Sequence, residues 1–211
     1  MNNKNTPIKD ISGWFGYKGA TTMQIPAIKE PFRELFNTIK PRRVLEIGTS
    51  SGGLTLILRD ILDDVGLKEC DLRTYDVNPD HDRTILLNSN LNYDFRLKNL
   101  FNQPYSDLCD INGQEVIEYI AKDGPIVVLC DGGCKVNEFN ILSKFLKSGD
   151  IIMAHDYAPT VEHFESVNKN KIWNWCEIFD TDVDDACKVN NLIPYMADEF
   201  TAVVWLCRIK S

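Results

Sequence analysis

The sequence predicts an α/β fold: a doubly wound, mostly parallel sheet with helices on both faces and a helical cap on its N-terminal side. Three observations lead there. From Arg43 to about residue 156, short apolar runs alternate with helix-length stretches, the rhythm of consecutive β-α units. One run, Ile126-Val-Val-Leu-Cys, is apolar without alternation, as a strand buried on both faces must be. Finally, 211 residues with 44% hydrophobic and 10% aromatic content suffice for one domain with a sizeable core and are too apolar for a disordered chain. The chain reads as a single domain over 1–211, with an arm and cap helix in 1–40 and the sheet core in 41–211.

Each element has its own signal. Residues 1–24 mix Gly, Asn and Thr with Trp14, Phe15, Tyr17 and Met23, a composition suited to an arm or lid packed on the domain. Pro26 can open a helix to about residue 40, with Ile28, Phe32, Leu35, Phe36 and Ile39 near helical spacing and Pro31 able to kink it or delay its start. Strands are expected at 44–47, 72–77, 95–97, 126–129 and 150–154, separated by helices near 53–65, 82–90, 113–122 and 137–146. Further helices are expected at 161–168 and 183–192, and a last strand, antiparallel to the rest, at 201–209.

Composition narrows the function. Lys plus Arg number 23 and Asp plus Glu 31, a net charge of −8, which argues against a nucleic-acid binder because neutralising phosphates needs a concentrated positive surface. No apolar run approaches a membrane span, and the first residues lack a secretory signal's apolar segment, so a cytoplasmic protein is expected. The seven cysteines are odd in number and without CxxC pairing, which suits reduced thiols rather than a disulfide framework or a zinc set.

In an open parallel sheet, ligands gather at the carboxyl ends of the strands, where the winding reverses. The first strand runs into Glu46-Ile47-Gly48-Thr49-Ser50-Ser51-Gly52-Gly53 and then a helix. Its glycines allow a tight turn and close backbone approach, and a helix start offers N–H groups. Neither a GxGxxG fingerprint nor a P-loop is present. The second strand ends in Tyr75-Asp76-Val77-Asn78-Pro79, placing a carboxylate where ribose hydroxyls are bound, although Asp and Asn-Pro also serve simple turns. Together, turn and carboxylate favour a nucleoside-containing ligand.

These motifs, with Asp131-Gly132-Gly133 after the fourth strand and Gly149-Asp150-Ile151-Ile152-Met153-Ala154-His155-Asp156 at the fifth, resemble class I S-adenosylmethionine-dependent methyltransferases. The likeness spans about 26–156. It is nearest in style to the cation-dependent O-methyltransferases of catechol and macrocin type and to the cephalosporin hydroxylase-like group. It implies a Rossmann-like fold with S-adenosylmethionine held by Glu46, Gly48, Ser50, Gly52 and Asp76, and Asn99 at the adenine edge. It also implies O-methylation of a small-molecule hydroxyl, such as a sugar or phenol.

Asp131 and the His155-Asp156 pair end neighbouring strands, about 4.8 Å apart. They are the candidate catalytic and metal-binding cluster. Two carboxylates with waters suit Mg²⁺. The cation-dependent families carry Asp-Asn or Asp-Asp where this chain has His155-Asp156, and an imidazole suits Mn²⁺ or Fe²⁺, or acts without metal as the base. Each residue alone could equally be a cap or turn residue; the three at adjacent strand ends favour function. His81 and His163 read as surface or capping residues, the Trp173/Trp175 pair as core or lid, and 180–185 as a solvated face or helix start. Two rivals stand beside the methyltransferase: an enzyme of another class on the same scaffold, hydroxylase-like, and a noncatalytic S-adenosylmethionine-binding partner subunit. A homo-oligomer is compatible with either.

Overall fold

The computed structural model describes residues 15–102 and 105–211. The first part of the expected arm, Trp14 included, lies outside the described residues. The described chain opens with a hairpin in which β1 (Phe15–Tyr17) pairs antiparallel with β2 (Ala20–Thr22). Lys18 and Gly19 both have positive φ, 51° and 93°, the two-residue turn whose twist matches flanking strands. A 3₁₀ turn at Pro26–Ile28 precedes α1 (Lys29–Ile39). Pro31 thus falls in the first turn of α1, where its missing N–H costs no helical bond.

One sheet then organises the molecule. Its strands are β3 (Arg43–Ile47), β4 (Asp71–Asp76), β5 (Asp94–Leu97), β6 (Ile126–Cys130), β7 (Ile151–His155), β8 (Leu192–Pro194) and β9 (Trp205–Lys210). They run in the order β5-β4-β3-β6-β7-β9-β8, with β9 antiparallel to both its neighbours. Every residue of β3, β6 and β7 is buried, because helices cover both faces. On one face lie α1, α2 (Gly53–Asp64) and α8 (Ala197–Thr201), whose Phe32, Leu35, Ile57, Leu58 and Phe200 share a core with Trp205. On the other lie α4 (Asp110–Ala121), α5 (Lys135–Leu142) and α7 (Asp180–Val189), which contribute Val116, Phe139, Leu142 and Val183. This is the expected doubly wound α/β fold. No helix of the described residues is long and apolar enough to cross a membrane, and all seven cysteines are free.

Several boundaries differ from the sequence reading. The helix expected at 82–90 is a single turn, α3 (Thr84–Leu87); the polar run Asn88-Ser89-Asn90 cannot extend its apolar face. The residues at 161–168 split into α6 (Val161–His163) and one π-helical turn, Phe164–Asn168. Acidic residues begin α7 earlier than expected: the Phe179 N–H donates to Asp182 Oδ2 at 2.8 Å, and negative charge favours a helix N-terminus. The last strand starts only at Trp205, because 197–201 is helical and Val204, at φ 59°, turns the chain back. The edge strand β8 had no sequence signal, and its Pro194 sits where an edge tolerates proline.

Candidate active site

Between the carboxyl ends of β3 and β6, where the winding reverses, lies a cavity of about 440 Å³. Two unlike constructions line it.

The first is the turn after β3. Gly48, Ser50 and Gly52 all have positive φ, 97°, 49° and 83°. A Cβ on Gly48 would lie 2.1 Å from the Asp131 carbonyl oxygen, so only glycine lets this backbone pass the end of β6. The turn is laced to β4 by Gly48 and Thr49 N–H groups donating to Tyr75 O, 2.8 and 3.1 Å. The Ser50 N–H donates to Asp76 Oδ2 at 2.6 Å, and the Asn78 N–H to Oδ1 at 2.8 Å. Arg83 completes the set, 2.9 Å from Oδ2. Burial works against the Asp76 charge, but these hydrogen bonds and the guanidinium hold its pKa below the ordinary carboxylate range.

Gly48, Ser50, Asp76 and Asn99 all line the cavity, whereas Glu46 and Gly52 do not. Gly52 instead lets the turn approach Leu86, whose Cδ2 would lie 2.6 Å from an added Cβ. Glu46 is wholly buried beneath the turn, accepting from Thr55 Oγ1 at 2.5 Å, with its Oε1 unpartnered. Burial pushes its pKa up to about 8, so at neutral pH it is largely protonated. His81 also lines the cavity, 3.4 Å from Asp76, nearer the site than its sequence context suggested.

The second construction is ionic. Asp131 follows β6, His155 ends β7 and Asp156 follows it; one ligand atom from each lies within 4.8 Å of the others. His155 Nδ1 is 3.1 Å from Asp131 Oδ1 and 3.6 Å from Asp156 Oδ1. Its ring packs against Trp205, centroids 4.9 Å apart, and against Trp173 at 5.4 Å. Its Nε2 is buried without a partner. Burial opposes protonation of His155, and the carboxylates of Asp156 and Asp131 outweigh it, so its pKa is raised. Asp156 shows the reverse: burial would raise its pKa, but His155 and Lys135 lower it. Its backbone sits at φ 58°, a left-handed conformation that turns the chain back under Trp173, whose indole N–H donates to Asp156 Oδ1. Trp173 is therefore core that rests on the cluster.

Sequence reasoning missed three members. Lys135, in the first turn of α5, is buried with Nζ 3.0 Å from Asp156 Oδ2 and 3.0 Å from Glu177 Oε2. Its position four residues after Asp131 was the available signal. Gln24 donates to Asp131 Oδ2 at 2.9 Å and accepts from the Trp205 indole N–H at 2.9 Å; nothing in its local sequence announces this. Glu138 receives the N–H groups of Gly132 and Cys134, each at 3.1 Å, and burial raises its pKa to about 7.

The donor set of two carboxylates and one imidazole fits a divalent ion of intermediate softness, and Asp131, His155 and Asp156 would hold it. The turn, with its close backbone and the Asp76 carboxylate beyond it, fits a nucleoside ligand.

The mostly parallel sheet with its antiparallel C-terminal strand pair is a Rossmann-like methyltransferase fold. Solved structures with this fold include CmcI without ligand, at 13% identity and TM-score 0.59 over 93% of this chain and 77% of that one. CmcI with magnesium and S-adenosylmethionine aligns at 15% identity and TM-score 0.57, over 92% and 76%. An O-methyltransferase family protein from Burkholderia thailandensis aligns at 13% and 0.55, over 87% of this chain and 55% of that one. No protein-family model and no curated protein sequence matches this chain.

Proposed function

We propose that this chain is an S-adenosylmethionine-dependent methyltransferase acting on a hydroxyl oxygen of a small molecule. One observation carries the reading: a single cavity runs from the glycine turn and Asp76 to Asp131, His155 and Asp156. Its volume falls within the range of cofactor and ligand pockets, about 300–1,000 Å³. The net charge of −8 supports a small acceptor over a nucleic acid.

S-adenosylmethionine supplies a methyl group that moves by in-line displacement, so alignment of acceptor, methyl and sulfur is a large part of catalysis. In this chain the Gly48–Ser50 backbone and Asp76 bind the donor, and Asn99 borders its adenine. Ser50 and Arg83 bond Asp76 Oδ2, with His81 3.4 Å from the same oxygen, and Asn78 bonds Oδ1, so a ribose hydroxyl would take the remaining Oδ1 position. Asp131 and Asp156 orient the acceptor hydroxyl on the far side of the cavity. A divalent ion, when bound there, would lower the acceptor's pKa. His155 serves from behind: its Nδ1 faces Asp131 and steadies that charge, while its buried Nε2 is covered, so direct deprotonation by it requires the ring to be uncovered.

Calorimetry tests the reading. S-adenosylmethionine or its demethylated product should bind the wild-type chain, and Asp76→Ala should weaken binding about tenfold or more, the loss of one charge-assisted hydrogen bond. Absence of binding by folded wild type would overturn the assignment, and tighter binding of NAD would redirect it to dehydrogenases. Binding without methylation of any phenol or sugar in an acceptor panel would favour the noncatalytic subunit.

A further inference from the structure

Lys135 is an ammonium in a place built like a cation site. Four oxygens surround its Nζ: Asp156 Oδ2 at 3.0 Å, Glu177 Oε2 at 3.0 Å, the Gly132 carbonyl at 3.2 Å and Asp131 Oδ1 at 3.9 Å. The side chain is only 6% exposed. A buried lysine is stable when its charge is paired and its donors are satisfied, and both conditions hold here. Two of the four oxygens belong to Asp131 and Asp156, the carboxylates that would also hold a divalent ion with His155. Two cations drawn to the same carboxylates in a poorly solvated site repel each other strongly.

We propose that Lys135 is a resident counter-cation that competes with a divalent ion of the manganese or iron type for Asp131 and Asp156. It neutralises the carboxylates in the metal-free chain and keeps metal affinity modest. The inference rests on the metal-binding part of the preceding reading and not on the methyl donor, so its test uses neither S-adenosylmethionine nor an acceptor.

The experiment is a titration with Mn²⁺ alone at neutral pH, followed by the resonance of the free ion, on wild type, Lys135→Met and Lys135→Arg. Lys135→Met should bind Mn²⁺ at least tenfold more tightly than wild type, while Lys135→Arg, which keeps the charge, should stay near wild type. In thermal unfolding, metal-free Lys135→Met should melt below wild type, and Mn²⁺ should raise its midpoint by more than it raises the wild-type midpoint. If Lys135→Met fails to fold, Lys135→Gln carries the same test with a neutral donor still facing Asp156. Equal Mn²⁺ affinity in wild type and the neutral variant would overturn the competition and leave the metal reading standing. An equal gain in Lys135→Arg would also overturn it. Absence of Mn²⁺ binding in all the variants would overturn both.

Discussion

The two halves of the cavity are made of different materials. At the ends of β3 and β4 the site is backbone: positive φ angles at Gly48, Ser50 and Gly52, and N–H groups closing on Tyr75 O and Asp76. At the ends of β6 and β7 it is buried charge: Asp131, Asp156, His155 and Lys135, each held by another. A backbone turn does not tolerate added volume, because interiors are close-packed. An ionic site tolerates neither the loss of a partner nor an unpaired charge.

Substitutions that change one property at a time sharpen the contrast. The largest effect is expected in the ionic half. Asp131→Asn and Asp156→Asn keep side-chain shape and remove charge; with an acceptor in hand, turnover should fall about 10²–10⁴-fold while cofactor affinity stays near wild type. Turnover within a fewfold of wild type in both variants would make the cluster structural. In the backbone half the smallest side chain should do the damage. Gly48→Ala forces a Cβ to within 2.1 Å of Asp131 O at φ 97°, and urea unfolding should register a loss of about 2–4 kcal/mol. An unchanged unfolding midpoint would show the turn to be pliable.

A third effect, spread over pH, concerns Glu46, a carboxyl beneath the backbone half. With a folded pKa raised to about 8 against an ordinary 4.5, the folded chain holds a proton that the unfolded chain has released between those values. Its contribution to stability is therefore full below about pH 4.5 and lost as pH rises through 8. Glu46→Gln should flatten the fall in stability across that window by at most about 1.4 kcal/mol per pH unit, read from unfolding at a series of pH values. A wild-type profile with no such slope would mean that Glu46 is ionised in the fold.

The same contrast explains what could be read in advance. Strands buried on both faces announce themselves as apolar runs, and the residues that end them then follow by position. Asp76, Asp131, His155 and Asp156 were found this way, as were the glycines of the turn. What the sequence hid are partners delivered by distant or irregular chain. Gln24 lies 107 positions from Asp131. Glu177 comes from a segment with no periodic pattern. The three-residue strands β1, β2 and β8 are too short for alternation to register. The weight of Lys135 comes from its burial, which no sequence pattern reports.

The carboxamide of Gln24, shared between Asp131 and the Trp205 indole, also bears on how the molecule is made. Gln24 and Trp205 are 181 positions apart, and β9, which carries Trp205, inserts between β7 and β8. A ribosome therefore releases Gln24 and Asp131 well before the strand that completes their neighbourhood. Until β9 arrives, the edge of β7 that ends in His155 has no partner on that side, and such edges invite wrong pairing. β9 thus closes the open edge of β7 and sets Trp205 against the His155 ring in the same step.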